Sequence, residues 1–230
     1  MNVADLTDPA IDLRVTELLA ARLCHDLIGP VAAVANGAEL LADDDPEFAR
    51  DAIALVGDSA RKANRRLQFY RFAYGFTGGG ITGPPPHQLV ADLLEESSVG
   101  CDYGEAVRGL PIERQKLACN ILAVAAEPLI RGGRLVLEAE AAGLEVQATG
   151  EGARLAPEIC AGLSLLTPVK DLSSRTIGAY FAGLLARRLG CRIVINEQPG
   201  GFRLAVVGQE LVDQDALGSS AGASTGSRNT

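Results

Sequence analysis

Along the N-terminal third of the chain, apolar residues recur at alternating three- and four-residue steps, the spacing of a helix that buries one stripe. Leu19, Leu23, Leu27, Val31 and Val34 form such a stripe in a first predicted helix from about Ile11 to Leu41. A second, from about Glu47 to Tyr74, carries Phe48, Ala52, Leu55, Val56, Ser59, Ala63, Leu67, Tyr70 and Ala73 as its seam. The acidic turn Asp43-Asp44-Asp45-Pro46 supplies the caps that start it. Two helices of this length cannot bury both stripes on their own. The pattern therefore predicts a homodimer whose two hairpins close a four-helix bundle.

The period changes after Gly78-Gly79-Gly80 and Pro84-Pro85-Pro86, a linker flexible at one end and stiff at the other. Beyond it, Gln88 to Ser97 reads as a helix, and Pro111 to Ile130 as a longer one with Leu117, Ile121, Leu122 and Val124 apolar. Alternation at Leu135–Ala139 and Leu144–Ala148 predicts two strands around the Ala141-Ala142-Gly143 turn. Leu172 to Leu189 follows as a helix, and Arg192–Asn196 and Phe202–Val207 close a hairpin over Pro199-Gly200-Gly201. The expected fold is α+β: a helical hairpin over 1–77, a linker over 78–86, an α/β sandwich over 87–212, and a Ser/Gly/Ala/Thr-rich disordered tail over 213–230.

Composition narrows the partners. A length of 230 residues with 47% hydrophobic content suffices for two cores. A net charge of -8 and a pI near 4.9 argue against a general nucleic-acid or anionic-membrane surface, which would repel such a chain at long range. Apolar stretches are broken by charges or glycines short of a membrane span, and no basic start precedes an apolar run, so a cytoplasmic protein is expected. Five cysteines without paired spacing suggest neither a zinc site nor a disulfide framework, and buried free thiols are expected.

The candidate chemistry lies in His25-Asp26-Leu27-Ile28-Gly29-Pro30. On an ideal helix His25 falls roughly 160–180° from the centre of the apolar stripe, so its ring faces water. Its neighbours there, Ala21, Gly29, Ala32 and Asn36, are small enough for another protein to bring a reactive group close. Pro30 cannot donate to the carbonyl of Asp26, which loosens or kinks the helix and frees an acceptor beside the histidine. Asp26 either orients His25 or is simply a solvated helix acid. Arg22, Arg61, Lys62, Arg65 and Arg66 give the hairpin a positive side. Arg61 and Arg65, one turn apart, are the contact candidates, although charge runs on helices are often only solvated surface. A Cys24–His25 thiol pair is disfavoured because adjacent helix residues diverge by about 100°.

In order of elements the chain resembles the two-component histidine kinases. More specifically, Ala21-Arg22-Leu23-Cys24-His25-Asp26 with Pro30, Ser59-Ala60-Arg61-Lys62, and a degenerate second domain are similar to the ChpT-type histidine phosphotransferases of bacterial phosphorelays. The resemblance spans about residues 11 to 210. The kinase pattern holds nucleotide with an Asn-x-x-x-Asn helix, an Asp-x-Gly-x-Gly turn and a Gly-rich helix start. Here Asn120 is followed four residues on by Val124, Ala148 replaces the acid ahead of Gly150 and Gly152, and Ser174–Phe181 keeps one glycine among bulk. The resemblance therefore implies a phosphotransferase that does not bind ATP and holds no cofactor of its own.

In that scheme His25 takes a phosphoryl group from the aspartate of one receiver domain and passes it to another, while the receiver supplies Mg²⁺ and a lysine. By resemblance the donor is the receiver of a CckA-type hybrid histidine kinase and the acceptors are CtrA- and CpdR-type response regulators of the cell cycle. Arg154, just after Gly150-x-Gly152, corresponds to a receiver-contacting part of the second domain. The rival expectations are a residual ATP-dependent histidine kinase and a scaffold that binds receivers without accepting phosphate.

Overall fold

The helical period at the start of the chain becomes α1 (Leu13–Leu40) and α2 (Pro46–Tyr74), an antiparallel hairpin. The structure, a computed structural model, describes residues 13–41, 46–76, 83–140 and 143–208. The acidic turn, most of the linker, the Ala141-Ala142 step and the tail from residue 213 lie outside the described residues.

The α2 seam divides by size. Ala52 and Ser59 are buried, and Val56 and Ala63 half-buried, whereas Phe48, Leu55 and Leu67 stay exposed. On α1, Ile28 and Val31 are likewise exposed, Val31 despite its place in the expected stripe. Gly37 explains the division: a Cβ there would meet Val56 Cγ2 at 2.7 Å and the Ala52 carbonyl at 3.3 Å. Small residues bring the two helices together, and the large ones are left exposed on either side of the contact.

By length and composition α1 is apolar enough to cross a bilayer, which corrects the expectation that no stretch would reach that far. Gly29, Pro30 and the few charges interrupt the run without lowering its average enough.

The α/β part begins with α3 (Pro86–Leu94), which ends before the expected Ser97. A five-stranded sheet follows in the order β1 (Val99–Tyr103), β2 (Gly133–Glu140), β3 (Gly143–Thr149), β5 (Gly201–Gly208), β4 (Cys191–Gln198). β1 pairs parallel with β2, and the other pairs are antiparallel. The helices α5 (Ile112–Ala126) and α7 (Ile177–Arg188) cover one face, with α4 (Glu105–Arg108) and α6 (Pro157–Leu163) as short connections. Inward residues Leu135, Leu137, Val146, Ala148, Phe202 and Leu204 are buried, while Glu145, Gln147 and Arg203 line the outer face, as alternation on a two-layer sandwich requires.

β1, α4 and α6 had no counterpart in the expected elements, and α7 starts five residues after the expected Leu172. Ser173 and Thr176 account for the late start: Ser173 N donates to Thr176 Oγ1 at 3.0 Å, drawing the chain into a turn before the helix. The expected β4–β5 hairpin forms, with Gly200 at φ +75°. The main core does not stop at the linker, for Phe69, Phe72 and Ala73 of α2 are buried in it with the sheet and α5. A smaller cluster joins Val15 of α1 to Leu172, Ile177 and Tyr180. Of the cysteines, Cys119 and Cys191 are buried, Cys101 and Cys160 are half-buried, and Cys24 is exposed, contrary to the expectation of buried thiols throughout.

Candidate functional site

α1 runs through Pro30 without interruption. The carbonyl of Asp26, deprived of its intrahelical donor, accepts a bond from Arg66 Nη1 of α2 instead. The acceptor expected to be free is thus already used, and it fastens the two helices at the level of His25.

The side chain of Asp26 is held as well. Its Oδ2 accepts from the Tyr70 hydroxyl at 2.5 Å, and its Oδ1 lies 3.2 Å from His25 Nδ1. Donation from Nδ1–H to the carboxylate leaves the ring lone pair on Nε2. The His25 side chain is 86% exposed, so that nitrogen meets solvent. Ala21, Gly29, Ala32 and Asn36 are all exposed, as the helical spacing required, and nothing lies within 4 Å of where a Gly29 Cβ would stand.

Behind Asp26 the network continues into the second domain. Arg22 Nε lies 3.8 Å from Asp26 Oδ2, while its other nitrogens pair with Glu127, just past the end of α5, and donate to the Arg175 carbonyl at 3.4 Å. Burial works against the charge of Arg22, but Glu127, Tyr74 and Asp26 together outweigh it and hold the guanidinium above its ordinary pKa. Burial, then the bond to Asp26, raises Tyr70, so its hydroxyl stays a neutral donor. The arrangement can offer an exposed imidazole nitrogen as a nucleophile, with a fixed carboxylate beside the other ring nitrogen.

The remaining candidates are placed differently. Arg61 is exposed and pairs with Asp58 on its own helix. Arg65 does not face outward: it pairs with Glu95, as Lys62 does with Glu96, tying α2 to the end of α3. Much of the expected positive side is therefore neutralised within the chain. Arg154 borders a cleft of about 430 Å³ with Gly152, Glu197, Gln198 and Gly201, and makes no bond to the His25 network. Cys24 is exposed, but Nδ1 of the adjacent His25 turns to Asp26.

Positions of the α/β domain that the sequence reading compared with a nucleotide motif serve as support. Asn120 Nδ2 donates to the Ala73 carbonyl at 3.0 Å and Lys116 Nζ to that of Gly75, so α5 clamps the end of α2. Val124 and Ala148 are buried, as are Ile177 to Tyr180. Among the described residues no cluster of His, Cys, Asp and Glu could hold a metal ion.

Glu127 escaped the sequence reading, while Tyr70 entered it only as a seam residue, Arg175 only within the Ser174–Phe181 segment and Arg66 only as part of a charged face. The one signal available was Tyr70 itself, a hydroxyl in an apolar seam that needs an acceptor when buried.

Comparison with known proteins gives a consistent result. Residues 86–201 match the family described as histidine phosphotransferase C-terminal domain. The chain is 30% identical over 198 residues to the protein phosphotransferase ChpT of Brucella abortus (strain 2308), across 83% of this chain and 93% of that one. It is also similar to the solved structure of a bacterial phosphotransferase, with a TM-score of 0.71 and 26% identity over 86% of this chain and 98% of that one.

Proposed function

The chain belongs to the ChpT-type histidine phosphotransferases, and from that premise we propose that His25 carries a phosphoryl group between receiver-domain aspartates. The observation that carries the reading is the exposed His25 ring held through Nδ1 by a carboxylate that is itself held from α2. The Nε2 lone pair attacks the phosphorus of a receiver aspartyl phosphate. The P–O bond to that aspartate breaks, and its electron pair returns to the carboxylate. The ring then bears a positive charge shared with Nδ1–H, which Asp26 faces, and a second receiver takes the phosphoryl group by the reverse step. Mg²⁺ and the charge-neutralising lysine come from the receiver.

Transfer through His25 uses no ATP. Asn120, which a kinase would turn to Mg²⁺ and phosphate, donates into the end of α2, and Val124 and Ala148 are packed in the core. The active form is a homodimer. Ile28, Val31, Phe48, Leu55 and Leu67 are large apolar side chains left exposed on one hairpin, and each gains about 1.5–3 kcal/mol when fully buried. A second hairpin suits them better than lipid, because Arg22, His25 and Asp26 would lie within any bilayer α1 crossed. The protein is accordingly cytoplasmic, and its surface charge of -8 suits no nucleic acid.

The test mixes the protein with a ³²P-labelled receiver in the absence of kinase and ATP. Acid-labile, alkali-stable label on the wild type and none on His25→Ala is the expected result. Docking without label on either protein would favour a scaffold instead.

A further inference from the structure

Of the groups around Asp26, the hydroxyl on Oδ2 has the firmest mount. The Tyr70 ring stacks on Tyr74 at 5.6 Å between centroids and 21° between planes, and meets Phe69 edge-on at 5.9 Å and 73°. Tyr74 in turn meets Phe181 of α7 edge-on at 5.2 Å. Phe69 is 1% exposed in the main core. The hydroxyl thus sits at the end of a row of rings that reaches into the α/β domain, on the helix that does not carry the histidine.

We infer that Tyr70 is a positioning residue for phosphoryl transfer: by holding Asp26 Oδ2 it turns Oδ1 toward the Nδ1–H of His25 and keeps the Nε2 lone pair facing the incoming phosphoryl group. This rests on the reading of His25 as the phosphoryl carrier and adds a residue to it. An isolated histidine side chain prefers its proton on Nε2, where it would block attack, so the nucleophilic tautomer here depends on an acceptor kept at Nδ1. Without the hydroxyl, Arg22, 3.8 Å from Oδ2, competes for the carboxylate and draws it from the ring. Tyr70 gives up no proton at any point. The N–P bond forms and the P–O bond breaks as described above, with Nδ1–H retained throughout.

The test substitutes Tyr70→Phe, which keeps the ring stack and removes only the hydroxyl. Two readouts are taken on the full chain: ¹⁵N chemical shifts of His25 in the unphosphorylated protein, and the rate of label uptake from a ³²P-receiver alongside the receiver dissociation constant. The expected result is a shift of the proton from Nδ1 toward Nε2, with uptake about tenfold slower and the dissociation constant unchanged. Nitrogen shifts like those of the wild type, or a changed tautomer with the uptake rate intact, would overturn the proposal. So would slower uptake that follows weaker docking alone. If the wild type itself takes no label, it is the transfer reading that fails, and the nitrogen shifts still report whether Tyr70 governs the tautomer.

Discussion

Asp26 concentrates the site: its carbonyl and both carboxylate oxygens are engaged, and two of those contacts come from α2. The His25-Asp26 step and the outward face were legible because neighbours on one helix are placed by a fixed period. Tyr70 was not, since its meeting with Asp26 depends on the register of two helices joined by a turn, which spacing along one helix does not determine. Cys101 of β1 offers a pH test at this scale. Burial, then the neighbouring Asp102 carboxylate, pushes its thiol from an ordinary value of 9.0 up to about 11. The folded chain therefore keeps this proton to higher pH than the unfolded one, and the associated stability, complete below pH 9, is lost between pH 9 and 11. Tyr70 and Tyr74, raised from 10.0, act in the same direction. Thermal midpoints recorded across that window are expected to fall, and Cys101→Ala to flatten part of the fall. Parallel curves for the two proteins would contradict the assignment to Cys101.

Elements differ in how clearly their sequences announce them. The hairpin helices, α5 and the last two strands were readable from sustained periods, but β1 offers only Val99-Gly100-Cys101-Asp102-Tyr103, with two poor strand formers in five edge residues. α6 has seven residues, too few for a period to emerge. The close contact of α1 and α2 gives the element-scale prediction. Gly29→Ala meets open space, so higher helix propensity is expected to add about 0.5–1 kcal/mol and about 1–4 °C in Tm. Gly37→Ala gains the same propensity but drives its Cβ into Val56 and the fixed Ala52 carbonyl, and is expected to cost about 1–3 kcal/mol net. Calorimetry on the two variants checks the opposite signs; a stabilising Gly37→Ala would mean the helices pack less closely than described.

At the scale of the molecule, the hairpin and the α/β part share their core and are cross-linked by Arg22–Glu127, Lys62–Glu96, Arg65–Glu95 and the Arg14 bond to the Leu172 carbonyl. The α/β domain thus supports the histidine through Glu127 and Arg175 behind Arg22, and through Asn120 at the end of α2. The large apolar side chains that one hairpin leaves exposed are covered in the proposed dimer. Leu67→Glu and Val31→Glu change exposed positions, so each is expected to leave the fold intact and convert dimer to monomer by light scattering. A dimer unaffected by both would place the interface elsewhere. If one histidine both accepts and donates, a chase carries label through it. Label is loaded from a first ³²P-receiver, that receiver is removed, and a second, unlabelled receiver is added to the labelled protein. Label is expected to leave the protein and appear on the second receiver, with none loaded or delivered by His25→Gln. Delivery by His25→Gln at the wild-type rate would rule out His25 as the carrier.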